Sequence, residues 1–319
     1  MQYRKLGLSD LNCSVIGLGT WPMSGNAYGK VDDQQSIGAI LASIEVGVNF
    51  IDTAPAYGNG HAESVLGEAL KSVDRESVII ATKFGNRFDE QGRYIRDASA
   101  KCVREGIEAS LRRLGTDYID LWQCHWPDPS TPIAETMEEV ARHVESGKVR
   151  YVGVSNFNGE LMDEVRKYVP IVSLQPPYSL LDRGFEGEIQ NYCLENKLGV
   201  LSYGSIGSGI LTGKYSLENR PVFPQGDSRA GFYRKLYAPE VWPKVCAMVD
   251  VLKDIAAAHD APTVSAAINW VLAQKAVTLA LVGAKTAQQA RQNASAADWS
   301  MSADELARIA KAYEEIFAE

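Results

Sequence analysis

The chain has 319 residues, 45% hydrophobic and 23% charged, the composition of a globular protein with a core to bury; this excludes a disordered or fibrous chain. A net charge of -8 without any Lys/Arg run gives no electrostatic reason to bind nucleic acid or an anionic membrane surface. No apolar stretch reads as a membrane span, and the length suits a single alternating α/β domain over residues 1–319.

The N-terminal stretch MQYRKLGLSDLNCSVIGLG has no apolar run long enough for a signal peptide. Within it, YRKLGLSDLNCSV predicts a small β-hairpin suited to plugging the bottom of a barrel. Short β-rich runs then alternate with helical patterns. SVIGLGTW precedes a helix at 33–47, VNFIDTA one at 62–73, SVIIATKF one at 99–114 and YIDLWQCH one at 133–146. VRYVGVSN precedes 159–168, IVSLQPPY 185–197, GVLSYGS 240–259 and TLALVGAK 286–297. Strands this apolar, separated by helix-length segments, imply a parallel sheet covered by helices. Eight such units predict an α/β fold of the (β/α)8 TIM-barrel type. An open doubly wound sheet would carry a GxGxxG turn after the first strand, and GLGTWPMSG lacks that spacing. The longest irregular segment, 213–239, follows strand seven and is rich in Gly, Pro, Tyr and Arg, which suits a lid. Finally, Ser302 and Glu305 have capping-box spacing ahead of Leu306, Ile309, Ala310 and Tyr313, predicting an extra C-terminal helix.

A barrel of this kind does chemistry where its strands stop. In order the strand ends present Gly19 and Thr20; Asp52 and Tyr57; Lys83; His125; Ser155 and Asn156; Gln175; Tyr203; Gly283 and Lys285. Period-two alternation in LWQCHW puts His125 on one face with Gln123 and Leu121, and Trp122 and Cys124 on the other. Cys124 therefore reads as a core thiol and not as a nucleophile. The five cysteines (Cys13, Cys102, Cys124, Cys193, Cys246) are odd in number and never spaced as CxxC, which fits a reducing, cytoplasmic setting. Of the four histidines only His125 falls at a strand end; His143 and His259 read as solvated helix residues and His61 as a rim residue, so no metal is expected.

At FIDTAPAYG, IIATKFG, QCHWPD, GVSNF and GILTGKY the sequence resembles the aldo-keto reductase superfamily, in order and over nearly the whole chain. The resemblance implies a catalytic tetrad of Asp52, Tyr57, Lys83 and His125. A carbonyl accepting hydride needs a proton, and a free phenol with a pKa of about 10 donates poorly at neutrality. Lys83 beside Tyr57 is expected to lower that pKa, Asp52 to hold Lys83 charged, and His125 to orient the substrate oxygen. For the cofactor, the resemblance implies that Ser155, Asn156 and Gln175 meet the nicotinamide carboxamide and that Tyr203 stacks on its ring, with Gly19, Thr20, Trp21 and Asp52 nearby. Gly204, Ser205, Ile206, Ser208, Gly209, Leu211 and Lys214 fall at the pyrophosphate. Gly283, Ala284, Lys285, Gln289, Gln292 and Asn293 fall at the adenosine and its 2'-phosphate.

Two departures bear on this. Ser205 and Ser208 stand where the family usually has proline and a longer polar or basic residue, and Gln289 where many members have arginine. Lys285 is left as the cation for a 2'-phosphate, which favours NADPH over NADH. Trp21 and Trp126, with Tyr57 and His125, would flank a pocket for a small-molecule carbonyl, of a sugar-like kind. The expectation is an NADPH-dependent reductase, with a homo-oligomer a compatible assembly; an NAD-dependent alcohol or sugar dehydrogenase and a cofactor-sensing regulatory subunit are the alternatives.

Overall fold

The N-terminal plug forms as its sequence predicts. β1 (Tyr3–Lys5) and β2 (Asn12–Ser14) pair antiparallel, with Tyr3 opposite Ser14 and Lys5 opposite Asn12. The structure is a computed structural model that describes residues 1–25, 28–29, 31–224 and 226–318. Eight parallel strands close into a barrel: β3 (Ile16–Gly19), β4 (Phe50–Asp52), β5 (Ile79–Phe84), β8 (Ile119–Cys124), β9 (Val149–Ser155), β10 (Ile171–Gln175), β11 (Gly199–Ser202) and β12 (Val277–Gly283). β12 returns to β3, pairing Ala280 with Ile16 and Gly283 with Gly19. Between β5 and β8 lies a second hairpin, β6 (Asn86–Phe88) and β7 (Tyr94–Arg96).

The helices are α1 (Asp33–Glu45), α2 (His61–Leu70), α3 (Ala100–Leu114), α4 (Ile133–Glu145), α5 (Gly159–Arg166), α6 (Glu188–Glu195), α7 (Ser228–Phe232), α8 (Trp242–Ala258), α9 (Thr263–Leu272), α10 (Ala287–Ala294) and α11 (Ala303–Phe317). Their starts follow local chemistry. Asp32 accepts from the Gln35 amide at the head of α1, Ser99 from Cys102 at the head of α3, and Ser302 with Glu305 closes the expected capping box of α11. α9 has no counterpart among the predicted helices. Every residue after Thr263 in TVSAAINWVL is buried, so the segment has no polar face and no readable period.

Two apolar layers result. Leu6, Leu11 and Cys13 of the hairpin join Phe50, Ile79, Ala81, Leu121, Val172, Leu201, Leu279 and Leu281 in the barrel lumen. Trp122 and Cys124 lie in the layer beneath the helices, as strand parity requires. Gly7 sits at φ +54°, where a Cβ would come within 2.4 Å of the Val172 carbonyl, so the plug turns on a residue that must be glycine. Because Leu6 is fully buried under the lumen, Leu6→Ala is expected to cost about 2–5 kcal/mol. Urea unfolding would report it, and an unchanged midpoint would show the plug to be dispensable.

The reading of His143 as solvated needs correction, whereas His259 is exposed as expected. His143 is buried because Met137, Val140 and His143 recur at helical spacing on the inner face of α4; its ring lies 5.8 Å from that of Trp122. His259 closes α8 by stacking 4.0 Å from Trp299 and bonding Glu305 at 2.6 Å, which ties α8 to α11. The segment 213–239 carries α7 and a 3-10 turn, Arg234–Tyr237, and Tyr233 packs with Ile210, Trp242, Val245 and Cys246 in a small core of its own. No described helix is long and apolar enough to cross a membrane.

Candidate active site

β4 stops at Asp52, and the loop that follows carries Tyr57 back over the barrel mouth. β5 brings Lys83 alongside, since Asp52 pairs with Ala81 in register, and the backbone of His125 donates to the Phe84 carbonyl at 3.0 Å. The three elements meet at one ammonium. Lys83 Nζ donates to Asp52 Oδ1 at 2.6 Å, to the Thr53 carbonyl at 2.9 Å and to the Tyr57 hydroxyl at 3.2 Å. Asp52 is completed from the other side by Gln175 Nε2 at 2.9 Å and Gln123 Nε2 at 3.1 Å, so a buried carboxylate has a cation and two amide donors. The Tyr57 ring stacks 6.2 Å from Trp21 and lies edge-on to His125 at 5.9 Å.

Burial sets the protonation here. It raises the Tyr57 phenol well above its usual range, and the Asp52 charge adds to that, so the net direction is opposite to the lowering expected from Lys83 beside it. Burial also lowers Lys83, opposed by Asp52, and burial with the Lys83 charge holds His125 well below the usual imidazole range. The site thus presents a neutral phenol and a neutral imidazole. Cys124, adjacent to His125, is buried with its thiol pushed up to about 12, and its Sγ donates to the Trp126 carbonyl at 3.4 Å. Among the described residues no three His, Cys, Asp or Glu side chains gather as a metal set.

One cleft of about 1540 Å³ runs from this cluster across the barrel mouth, more than the ~300–1,000 Å³ of an ordinary small-ligand pocket. Trp21, Asp52, Tyr57, His125 and Trp126 line it at one end, followed by Gly19, Ser155, Asn156, Gln175 and Tyr203. The Tyr203 hydroxyl donates to Asn156 Oδ1 at 2.9 Å, and Asn156 Nδ2 donates to the His125 carbonyl at 3.0 Å, so the aromatic face is braced by the amide beside it. Further along lie Gly204, Ser205, Ile206, Ser208, Gly209 and Lys214. Gly204 has φ +71°, and a Cβ there would meet the Tyr233 hydroxyl at 2.4 Å. Gly283, Ala284, Lys285, Gln289, Gln292 and Asn293 complete the far end. Lys285 Nζ donates to the Tyr28 carbonyl, Gln289 Oε1 accepts from the Lys285 amide at 2.8 Å, and Thr286 caps α10.

Two expected residues lie elsewhere. Leu211 is fully buried in the outer core and Thr20 is buried with its hydroxyl unpartnered, so neither side chain lines the cleft; Lys83 stands beside Tyr57 and Asp52 as expected, behind the cleft wall.

The aldo/keto reductase family model matches residues 15–314. The chain belongs to that family. An aldo-keto reductase of Bacillus subtilis is 36% identical over 306 residues, covering 96% of this chain and 91% of the relative. An NADH-specific methylglyoxal reductase of Escherichia coli is 33% identical over 311 residues, covering 93% of this chain and 94% of the relative. A solved glycerol dehydrogenase from Gluconobacter oxydans superposes with a TM-score of 0.90 at 34% identity, covering 100% of this chain and 97% of that one. As an aldo/keto reductase, the protein is an oxidoreductase that uses a nicotinamide cofactor and acts on small-molecule carbonyls.

Sequence reasoning missed several parts of the cleft. Gln123 sits on the right face but its bond to Asp52 depends on a neighbouring strand. Tyr28, Phe88, Tyr94, Arg96, Asp227, Arg229 and Phe232 line the cleft from the connections between barrel strands, including the β6–β7 hairpin and α7. A glycine-containing turn between short alternating runs in NRFDEQGRYIR was the available hairpin signal.

Proposed function

We propose that this single-domain barrel reduces an aldehyde or ketone, with Tyr57 as the proton donor. The observation that carries this is the Lys83 ammonium 2.6 Å from Asp52 and 3.2 Å from the Tyr57 hydroxyl, opening onto a cleft of dinucleotide size. The bound nicotinamide supplies the hydride. Tyr57 gives its proton to the developing alkoxide, and Lys83 stabilises the phenolate left behind. Asp52 keeps Lys83 charged and aimed. His125, neutral in its buried setting, donates to the substrate oxygen and fixes the carbonyl against the phenol.

The donor set fits the cofactor. Tyr203 offers a braced ring for stacking, and Ser155, Asn156 and Gln175 offer the amide and hydroxyl groups a carboxamide needs, although Gln175 Nε2 already donates hydrogen bonds to Asp52 and Gln123 and would bind through its oxygen. Gly19 and Trp21 border the same end, and the Gly204–Gly209 turn with Lys214 suits the pyrophosphate. At the far end Lys285 makes no ion pair with any described carboxylate and lies at the N-terminus of α10, which suits a 2'-phosphate. That favours NADPH, although one relative carries the NADH-specific name. Trp21 and Trp126 give aromatic walls to a sugar-like carbonyl. All five cysteines are free, which supports a cytoplasmic setting, and a homo-oligomer is compatible with the fold.

Titration of both cofactors into wild type and Lys285→Ala tests the choice. Loss of the cation is expected to weaken NADPH by roughly 5–30-fold and to leave NADH nearly unchanged. Equal affinity of the variant and wild type for NADPH would reject the assignment, and consumption of NADPH with a panel of hydroxylated aldehydes and ketones tests the reduction itself.

A further inference from the structure

The hairpin β6–β7 stands at the cleft mouth and presents one face to it. Its register pairs Asn86 with Arg96 and Phe88 with Tyr94, so these four share a face, while Arg87 and Ile95 occupy the other. Phe88, Tyr94 and Arg96 accordingly line the cleft.

The three arginines of the hairpin are treated differently. Arg87 bonds Asp97 at 2.5 Å and Arg93 bonds Asp89 at 2.7 Å. Arg96 has no carboxylate partner among the described residues, although two acids lie next to its segment. Asp97 is taken by Arg87 and Ser99, and Asp128 by the Ala98 amide and the hydroxyls of Ser130 and Thr131. What Arg96 does have is support: its guanidinium lies 5.1 Å over the Trp126 ring and one N–H donates to the Pro127 carbonyl at 3.2 Å. A guanidinium has five N–H donors, so most of its capacity is left for a ligand, and the ring beneath it limits its freedom in advance.

Position gives the ligand's identity. Trp126 directly follows His125, so Arg96 rests on the residue next to the imidazole that faces the reacting carbonyl. Around it at this end are Trp21, Tyr57, His125, Tyr94 and Phe232, and the one carboxylate there, Asp52, is already held by Lys83, Gln123 and Gln175. Arg229, on the helix that carries Phe232, is paired with Asp227, so Arg96 is the guanidinium here without a carboxylate, and it is suited to a planar or tetrahedral oxyanion. Accepting the carbonyl-reducing reading above, we propose that Arg96 binds an anionic group of the substrate, a carboxylate or phosphate carried a few bonds from the aldehyde or ketone carbon.

The test compares matched substrates: 4-oxobutanoate against butanal for a carboxylate, and glyceraldehyde 3-phosphate against glyceraldehyde for a phosphate. Wild type is expected to favour at least one anionic member, and which pair shows the preference identifies the anion. In Arg96→Gln, kcat/KM for the preferred anion should fall roughly ten- to a hundredfold, chiefly through KM, while the neutral partner holds steady. Arg96→Lys should recover part of the loss, and rising ionic strength should erode the preference in wild type only. Equal loss on anionic and neutral substrates would assign Arg96 a purely structural role on Trp126, and no anionic preference in wild type would also overturn the proposal. Failure of the underlying reduction reads out separately, as an absence of Tyr57-dependent turnover on every substrate.

Discussion

Tyr57→Phe is expected to lower kcat for carbonyl reduction by about 10²–10⁴-fold, the range for removing a positioned general acid. The fold should survive, because the ring keeps its stacking on Trp21 and its edge contact with His125, and only the hydroxyl at 3.2 Å from Lys83 is lost. Cofactor affinity should stay close to wild type, so the loss appears in the chemical step. The pH profile follows from the burial. The competent phenol is protonated and burial holds its pKa well above the ordinary phenol range, so activity should persist through neutrality and fall only as pH rises through that raised value. The neutral imidazole sets the other limb: His125 lies well below 6.5, so it should gain its proton only in acid. A basic limb of kcat/KM near pH 8 would contradict this account, as would undiminished turnover in Tyr57→Phe.

The same phenol shows what a sequence can and cannot carry. Asp52, Tyr57, Lys83 and His125 were legible because each ends or follows an apolar strand, and strand ends meet at a barrel mouth whatever the loops do. Alternation in LWQCHW likewise sorted Leu121 to the lumen and Trp122 to the helix layer. The direction of the Tyr57 shift was not legible. Adjacency to Lys83 says down, and the depth of burial that says up is a property of the whole fold. α9 escaped for a related reason: a helix buried on all sides has no polar face to betray its period. His143 escaped because a polar residue at an inward helical position looks solvated until its neighbours Met137 and Val140 are seen to share its face. Arg96 escaped because its lack of an acid depends on Asp97 and Asp128 being taken by others.

Lys83→Met should cost both stability and turnover, and the two losses can be separated. The Lys83 side chain is fully buried and its Asp52 partner nearly so, and removing one member of a buried pair leaves the other charge uncompensated, a loss of about 3–5 kcal/mol. Gln123 and Gln175 still donate to Asp52 Oδ2, at 3.1 and 2.9 Å, which places the expected loss toward the lower end of that range. In the double variant Asp52→Asn/Lys83→Met no buried charge remains, and urea unfolding should return most of the stability because the asparagine oxygen can still accept the amide donors. Turnover should not return with it, since the phenolate formed when Tyr57 gives up its proton would face methionine. Single-turnover measurements on both variants therefore separate the two roles of Lys83. Recovery of stability without recovery of rate supports a lysine that acts on Tyr57, whereas recovery of both would reduce the ammonium to a structural partner of Asp52.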